Sequence, residues 1–224
     1  ALHADAHEVD DKPIRLAHAV LNSHDVESTR RFMESVFDFS LSDRTRIMAF
    51  MRCNSDHHSI ALGDTDNDAL NHIAFLMPDV DSVMRGGGRM RDAGYGIEWG
   101  PGRHGPGDNA FNYFVGPFDV VIEYTAEVEQ IDDSYQAGQP TDWTWPPGRV
   151  DQWGISAPPS PRLKDAQKAN QKTTKNKNGK ITQMALRNTV AIHQHAWRAQ
   201  NERTTRWTPL APIQRCKKLC RFSS

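Results

Sequence analysis

Leu70-Asn71-His72-Ile73-Ala74-Phe75 is a largely apolar run interrupted by Asn71 and His72, and Leu16-Ala17-His18-Ala19-Val20-Leu21 places a histidine at the same point 54 residues earlier. Each is short and strand-like. A fixed period of this length points to a duplicated unit, and the flanking sequence bears that out, because each run leads into an amphipathic helix and three short strands. In the first unit Ile14–Leu21 opens. The helix Asp25–Phe37 has apolar residues at Val26, Phe32, Met33, Val36 and Phe37, with Ser23 or Asp25 as its cap. Phe37–Leu41, Ile47–Met51 and His58–Leu62 follow as strands. In the second unit Leu70–Met77 opens, and the helix Asp79–Ala93 is weakened by Gly86-Gly87-Gly88 at roughly 1 kcal/mol per Gly relative to Ala. Gly94 stops it, and strands at Gly96–Trp99, Asn109–Val115 and Val120–Thr125 complete the unit. The expected fold is α+β: paired βαβββ modules, 14–62 and 69–126, whose two curved sheets face each other as an open barrel around one site.

An unpaired polar group in such apolar runs is costly to bury. His18 and His72 hold equivalent places in the repeat, and Val120-Val121-Ile122-Glu123-Tyr124 adds a carboxylate on a third run. A shared metal removes the cost. Two imidazoles and one carboxylate leave one face of an octahedral ion open, the ligand set expected of a non-haem Fe(II) centre that handles dioxygen. A single buried histidine is more often a hydrogen-bonded core residue. Two at repeat-equivalent points, joined by a buried glutamate, outweigh that reading.

The strings Leu16-Ala-His-Ala-Val-Leu21, Asn71-His-Ile-Ala-Phe75, Gly100-Pro-Gly-Arg-His-Gly-Pro-Gly-Asp-Asn-Ala-Phe-Asn-Tyr113 and Ile122-Glu-Tyr-Thr-Ala126 closely resemble the catalytic module of type I extradiol ring-cleaving dioxygenases, in the vicinal oxygen chelate superfamily with its glyoxalase-like fold. The resemblance covers about residues 14–128. It implies an enzyme that cleaves a catechol ring with insertion of both atoms of dioxygen. His18, His72 and Glu123 become the ligands of Fe(II), with Mn(II) as the alternative ion. His58, 14 residues before His72, becomes the distal catalytic histidine. His57 is the alternative, since neighbours on a strand face opposite sides. His104 and Tyr113 become the pair that contacts substrate. Val20, Phe75, Phe111 and Asn109 are read as shaping an aromatic substrate pocket.

Other readings are a glyoxalase-like or fosfomycin-resistance-like metalloenzyme using Zn, Ni or Mn, and a non-catalytic bleomycin-resistance-type binding module. The first leaves His58, His104 and Tyr113 without a joint purpose, and the second does not need the metal ligands. Family members of the common kind hold two such modules, and the match here begins at the linker before the second. The family also usually places Gly where this chain has Asp119, in the turn before Glu123.

The flanks read differently from residues 14–130. Residues 1–13 form an acidic arm, and 131–161, with Trp143, Trp145 and Trp153, an extended Trp- and Pro-rich segment laid over the domain, a lid over the pocket being the lesser reading. Residues 162–224 hold 15 of the 27 Lys and Arg but only 2 of the 28 Asp and Glu, which suggests a basic, unpacked tail. Charge alone could bring Lys164–Lys180 to nucleic acid or anionic lipid, but a solvated tail is the simpler expectation. Cys216-Lys-Lys-Leu-Cys220 and His193-Gln-His195 are too widely spaced for a second metal site. Three cysteines and no long apolar run suggest a cytoplasmic protein without a membrane span. A homo-oligomer acting on a small catechol and dioxygen is expected.

Overall fold

The computed structural model describes residues 11–169. His3, His7, His193, His195, Cys216, Cys220 and most of the basic stretch 164–180 lie outside the described residues. Within them the order is β1 (Arg15–Ser23), α1 (Val26–Phe37), β2 (Ser40–Arg44), β3 (Met48–Arg52), β4 (Ile60–Asp64), β5 (Ala69–Leu76), α2 (Val80–Asp92), β6 (Ile97–Arg103), β7 (Ala110–Val115), a short 3-10 turn at Pro117–Asp119, β8 (Val121–Ala126) and α3 (Pro161–Ala169). The duplicated unit is therefore present twice.

The strands run β2-β3-β4-β1-β5-β8-β7-β6. The order is the same read outward from the β1–β5 pair in either direction. In each unit the opening strand lies parallel to the last, β1 with β4 and β5 with β8, and the two units join where β1 meets β5 antiparallel. The expectation of two facing sheets is corrected accordingly. One continuous, unclosed eight-stranded sheet carries both repeats, because the opening strands satisfy each other's backbone groups directly.

Asp25 caps α1, its carboxylate accepting from the Ser28 amide, and Asp79 does the same for α2 through Ser82. The strand expected from Phe37 starts instead at Ser40. Asp38 takes a left-handed φ of 61° and sends its N–H back to the Met33 carbonyl, so the helix end uses up the residues before it. Helix α2 runs unbroken through its glycines for a packing reason: a Cβ on Gly86 would stand 2.8 Å from the Tyr124 ring, and one on Gly87 3.0 Å from Asn112. Their absence lets the helix lie close on β7 and β8, an approach that offsets their poor propensity.

The tail expectation fails at its start. Helix α3 buries Leu163 and Ala166 against Phe111, Tyr113, Val115 and Val121. Two apolar residues three apart in a polar stretch carry too little periodicity to announce a packed helix.

Candidate metal centre and its cavity

The sheet register assembles the centre. His18 pairs with Ala74, Ala74 with Glu123, Glu123 with Tyr113, and Tyr113 with Trp99, so these residues form one cross-strand row over β1, β5, β8, β7 and β6. Directly paired residues share a face of the sheet. His72, two residues before Ala74, joins the same face. The small side chain of Ala74 leaves the space between His18 and Glu123 open. The turn that delivers β8 to this register has left-handed φ at Phe118 (63°) and Asp119 (57°), the latter at the position where the resemblance leads one to expect Gly. Asp tolerates that conformation better than most residues.

His18, His72 and Glu123 are buried, and one ligand atom from each lies within 4.8 Å of the others. Nε2 of His18 and Nε2 of His72 each stand 3.1 Å from the same oxygen, Oε2 of Glu123. With metal–ligand bonds of roughly 2.1 Å, adjacent ligands of an octahedral ion are about 3.0 Å apart, so these two contacts fit a shared cation.

Hydrogen bonding strengthens the fit. Asn22 donates its amide to the backbone carbonyl of Gln167 at 3.0 Å, which turns its own oxygen toward the Asn71 amide at 2.8 Å. The Asn71 oxygen is left to accept from Gln167 Nε2 at 2.9 Å and from His72 Nδ1 at 2.8 Å. His72 is therefore protonated on Nδ1. Burial holds this imidazole below its ordinary range, against the pull of Glu123, so it is neutral and its Nε2 carries a lone pair. That lone pair points at a carboxylate oxygen. Two acceptors facing each other in a buried site call for a cation between them. Burial opposes ionisation of Glu123, but the surrounding imidazoles of His18, His104 and His72 prevail and hold it well below the usual carboxylate range. Its other oxygen accepts from Asn109 Nδ2 at 3.2 Å, and the same amide bonds Thr125 Oγ1 at 2.7 Å.

A cavity of about 620 Å³ opens onto the centre, lined on the centre's side by His18, His58, His72, His104 and Tyr113. The ring of His58 lies 4.3 Å from that of His18. His57 turns the other way, its Nε2 2.7 Å from Asp43 Oδ2, so of the two neighbours it is His58 that meets the cavity. Burial, followed by the neighbouring imidazoles of His18 and His57, pushes the His58 imidazole well below its ordinary range. His104 Nε2 lies 3.1 Å from the Tyr113 hydroxyl, and its ring stacks on Phe111 at 4.0 Å. Burial, then Glu123, keeps the Tyr113 phenol well above its normal range and therefore protonated.

Of the residues read as shaping the pocket, Val20 lines it and three do not. Asn109 is fully buried behind Glu123, Phe111 is fully buried beneath His104, and Phe75 projects to the opposite face of β5 from His72. Trp143 and Trp145 do line the cavity, so the 131–161 segment forms part of its wall, closer to the lesser lid reading than to simple surface packing. Sequence reading missed Asn71, Gln167 and Asp43. Asn71, next to a metal-type histidine, was the one with a local signal.

Residues 15–124 match the Glyoxalase/Bleomycin resistance protein/Dioxygenase superfamily. This stretch is a glyoxalase/vicinal oxygen chelate domain. The chain is 34% identical over 155 residues to Metapyrocatechase 2 of Cupriavidus necator, covering 65% of this chain and 46% of that protein. Among solved structures it is similar to the Mn(II)-bound glyoxalase from Novosphingobium aromaticivorans, with 40% identity, a TM-score of 0.61, and 67% of this chain and 49% of that one covered. It is also similar to 2,2',3-trihydroxybiphenyl 1,2-dioxygenase from Sphingomonas wittichii strain RW1, with 25% identity, a TM-score of 0.51, and coverage of 55% and 46%. The chain thus spans about half the length of these relatives. Helix α3 and the two cavity tryptophans lie beyond the matched stretch of this vicinal oxygen chelate domain. Among the described residues no helix is long and apolar enough to cross a membrane.

Proposed function

We propose that the chain carries the active site of an extradiol catechol dioxygenase, with His18, His72 and Glu123 holding Fe(II) or, as in the Novosphingobium relative, Mn(II). The chemistry such an ion supplies when bound is electronic coupling between a catecholate and dioxygen. The side chains around it do the rest. His58, neutral and facing the cavity, accepts the proton that a catechol must lose and can return it later. Tyr113, held protonated, donates a hydrogen bond to a catecholate oxygen, and His104, stacked on Phe111 and bonded to Tyr113, fixes that donor's direction. Phe50, Trp99, Trp143 and Trp145 give the cavity aromatic walls that exclude water and grip a flat ring.

The observation that carries this reading is the convergence of His58, His104 and Tyr113 on one cavity beside the triad. A glyoxalase-like reaction, the second reading, is favoured by the 40% identity to the Mn(II)-bound relative but gives this trio no common task. The reading extends to a cytoplasmic, homo-oligomeric protein, the odd count of three cysteines suiting a reducing compartment. The test is to load the chain with ferrous iron without air, then add catechol and air. A yellow ring-opened product supports the dioxygenase. Turnover of a glutathione hemithioacetal with no reaction on catechols supports the second reading.

A further inference from the structure

Two fully buried ionisable side chains have no part in the chemistry so far, Asp43 on β2 and His57 before β4. We propose that Asp43 and His57 are positioning residues that fix His58 as the tautomer protonated on Nδ1, so that its Nε2 lone pair faces the cavity. The proposal deepens the reading of that cavity as the substrate site and rests on it for its functional meaning.

The hydrogen-bond chain starts at a backbone donor, whose direction is fixed. The amide N–H of Gly138 donates to Asp43 Oδ1 at 2.6 Å, and the Tyr135 hydroxyl donates to both carboxylate oxygens at 3.3 and 3.2 Å. Burial, followed by the charge of Asp43, pushes the Tyr135 phenol far upward, so it stays a donor. Oδ2 of Asp43 meets His57 Nε2 at 2.7 Å, and since a carboxylate only accepts, His57 carries its proton there. With His57 taken as the neutral partner of that carboxylate, its other nitrogen then accepts. His57 Nδ1 lies 3.0 Å from His58 Nδ1, so His58 donates from Nδ1 and keeps its lone pair on Nε2. Among the described residues no protein group bonds that Nε2, and the ring lines the cavity.

The two rings are also clamped. A Cβ at Gly107, whose φ is +82°, would lie 3.0 Å from His58 Cε1 and 3.1 Å from His57 Nδ1. Backbone bonds from His57 N–H to Glu129 and from Glu129 N–H to Gly107 tie that loop to the same unit. When a substrate hydroxyl gives its proton to His58 Nε2, the O–H bond breaks, an N–H bond forms, and the new charge on His58 is met by the His57 lone pair, itself oriented by Asp43. No proton leaves through His57. The partners Tyr135 and Gly138 lie outside the matched stretch 15–124, so this segment sets the polarity of a group inside it.

The test reads protonation directly in the full chain, labelled with 15N-histidine and loaded with diamagnetic Zn(II), using two-bond proton–nitrogen correlations with His58→Gln to assign the ring. His58 is expected as the Nδ1–H form. In Asp43→Asn the new side chain must keep its oxygen on the Gly138 N–H and present its NH2 to His57 Nε2, which reverses the chain and yields the Nε2–H form of His58. A wild-type His58 protonated on Nε2, or a tautomer unchanged in Asp43→Asn, overturns the proposal, and the wild-type spectrum decides alone if the variant does not fold. No catechol enters the experiment, so its failure is separate from failure of the ring-cleavage reading. With turnover established, Asp43→Asn should lower kcat about 100-fold with KM little changed, and an equal kcat also counts against the assignment.

Discussion

Ala74 stands opposite Glu123 in the parallel β5–β8 ladder and, on its other side, opposite His18 in the β1–β5 ladder. It is fully buried, and its methyl group is what keeps the middle of the ligand row open. Ala74→Leu should fill that gap. Overpacking of this kind costs about 1–3 kcal/mol, so the variant should fold, with a lower denaturation midpoint, and bind divalent metal at least 10-fold more weakly by chelator competition.

Asn109 holds the outer oxygen of Glu123 while anchored to Thr125. Groups that orient a metal ligand commonly contribute 10–100-fold to metal affinity. Asn109→Ala should lose affinity in that range without changing the product formed, since the side chain does not line the cavity. Titration with Mn(II), read by the metal's paramagnetic effect on water, measures it.

Helix α3 reaches the centre through Gln167, Asn71 and His72. Asn71→Ala removes the only acceptor of His72 Nδ1 among the described residues and should weaken metal binding about 10–100-fold. Gln167→Ala leaves that acceptor in place and should cost less than about 10-fold. Equal losses in the two variants would argue that α3 acts by packing Leu163 and Ala166 rather than through this chain of amides.

Burial depresses both His58 and His72 below the ordinary imidazole value of 6.5. In the metal-free chain the unfolded state therefore binds more protons than the folded state as pH falls through about 6.5, and stability rises with pH in that window. Each depressed group contributes up to about 1.4 kcal/mol per pH unit between the two values. Urea midpoints measured with chelator should fall steadily from about pH 7 to pH 5, and His58→Phe should flatten the slope. A midpoint that is constant or higher at pH 5 contradicts the burial of neutral imidazoles.

The repeat was legible because two six-residue runs shared one pattern, and a period is robust to errors at strand ends. The triad was legible because a polar residue inside an apolar run has few inexpensive explanations. Joining of the halves into one sheet was not, since the β1–β5 pairing leaves no local mark on either strand. Asp43 carries no local mark and Asn109 reads as a pocket residue, because what defines each is a partner 14 residues away in sequence, His57 and Glu123. A helical fragment around Asp165 shows in the sequence, but with Leu163 and Ala166 as its buried apolar side chains it offers no apolar face that announces packing. Phe75 lies near His72 in sequence while strand parity sends it to the other face.

Oxygen uptake on addition of a catechol to the anaerobically iron-loaded chain tests the central claim most directly. The account predicts one dioxygen consumed per ring opened, with uptake abolished in Glu123→Ala and reduced about 100-fold or more in His58→Phe while iron is still bound. Iron held in full by His18, His72 and Glu123, with no oxygen consumed on catechol or on catechols bearing a second ring, would contradict it.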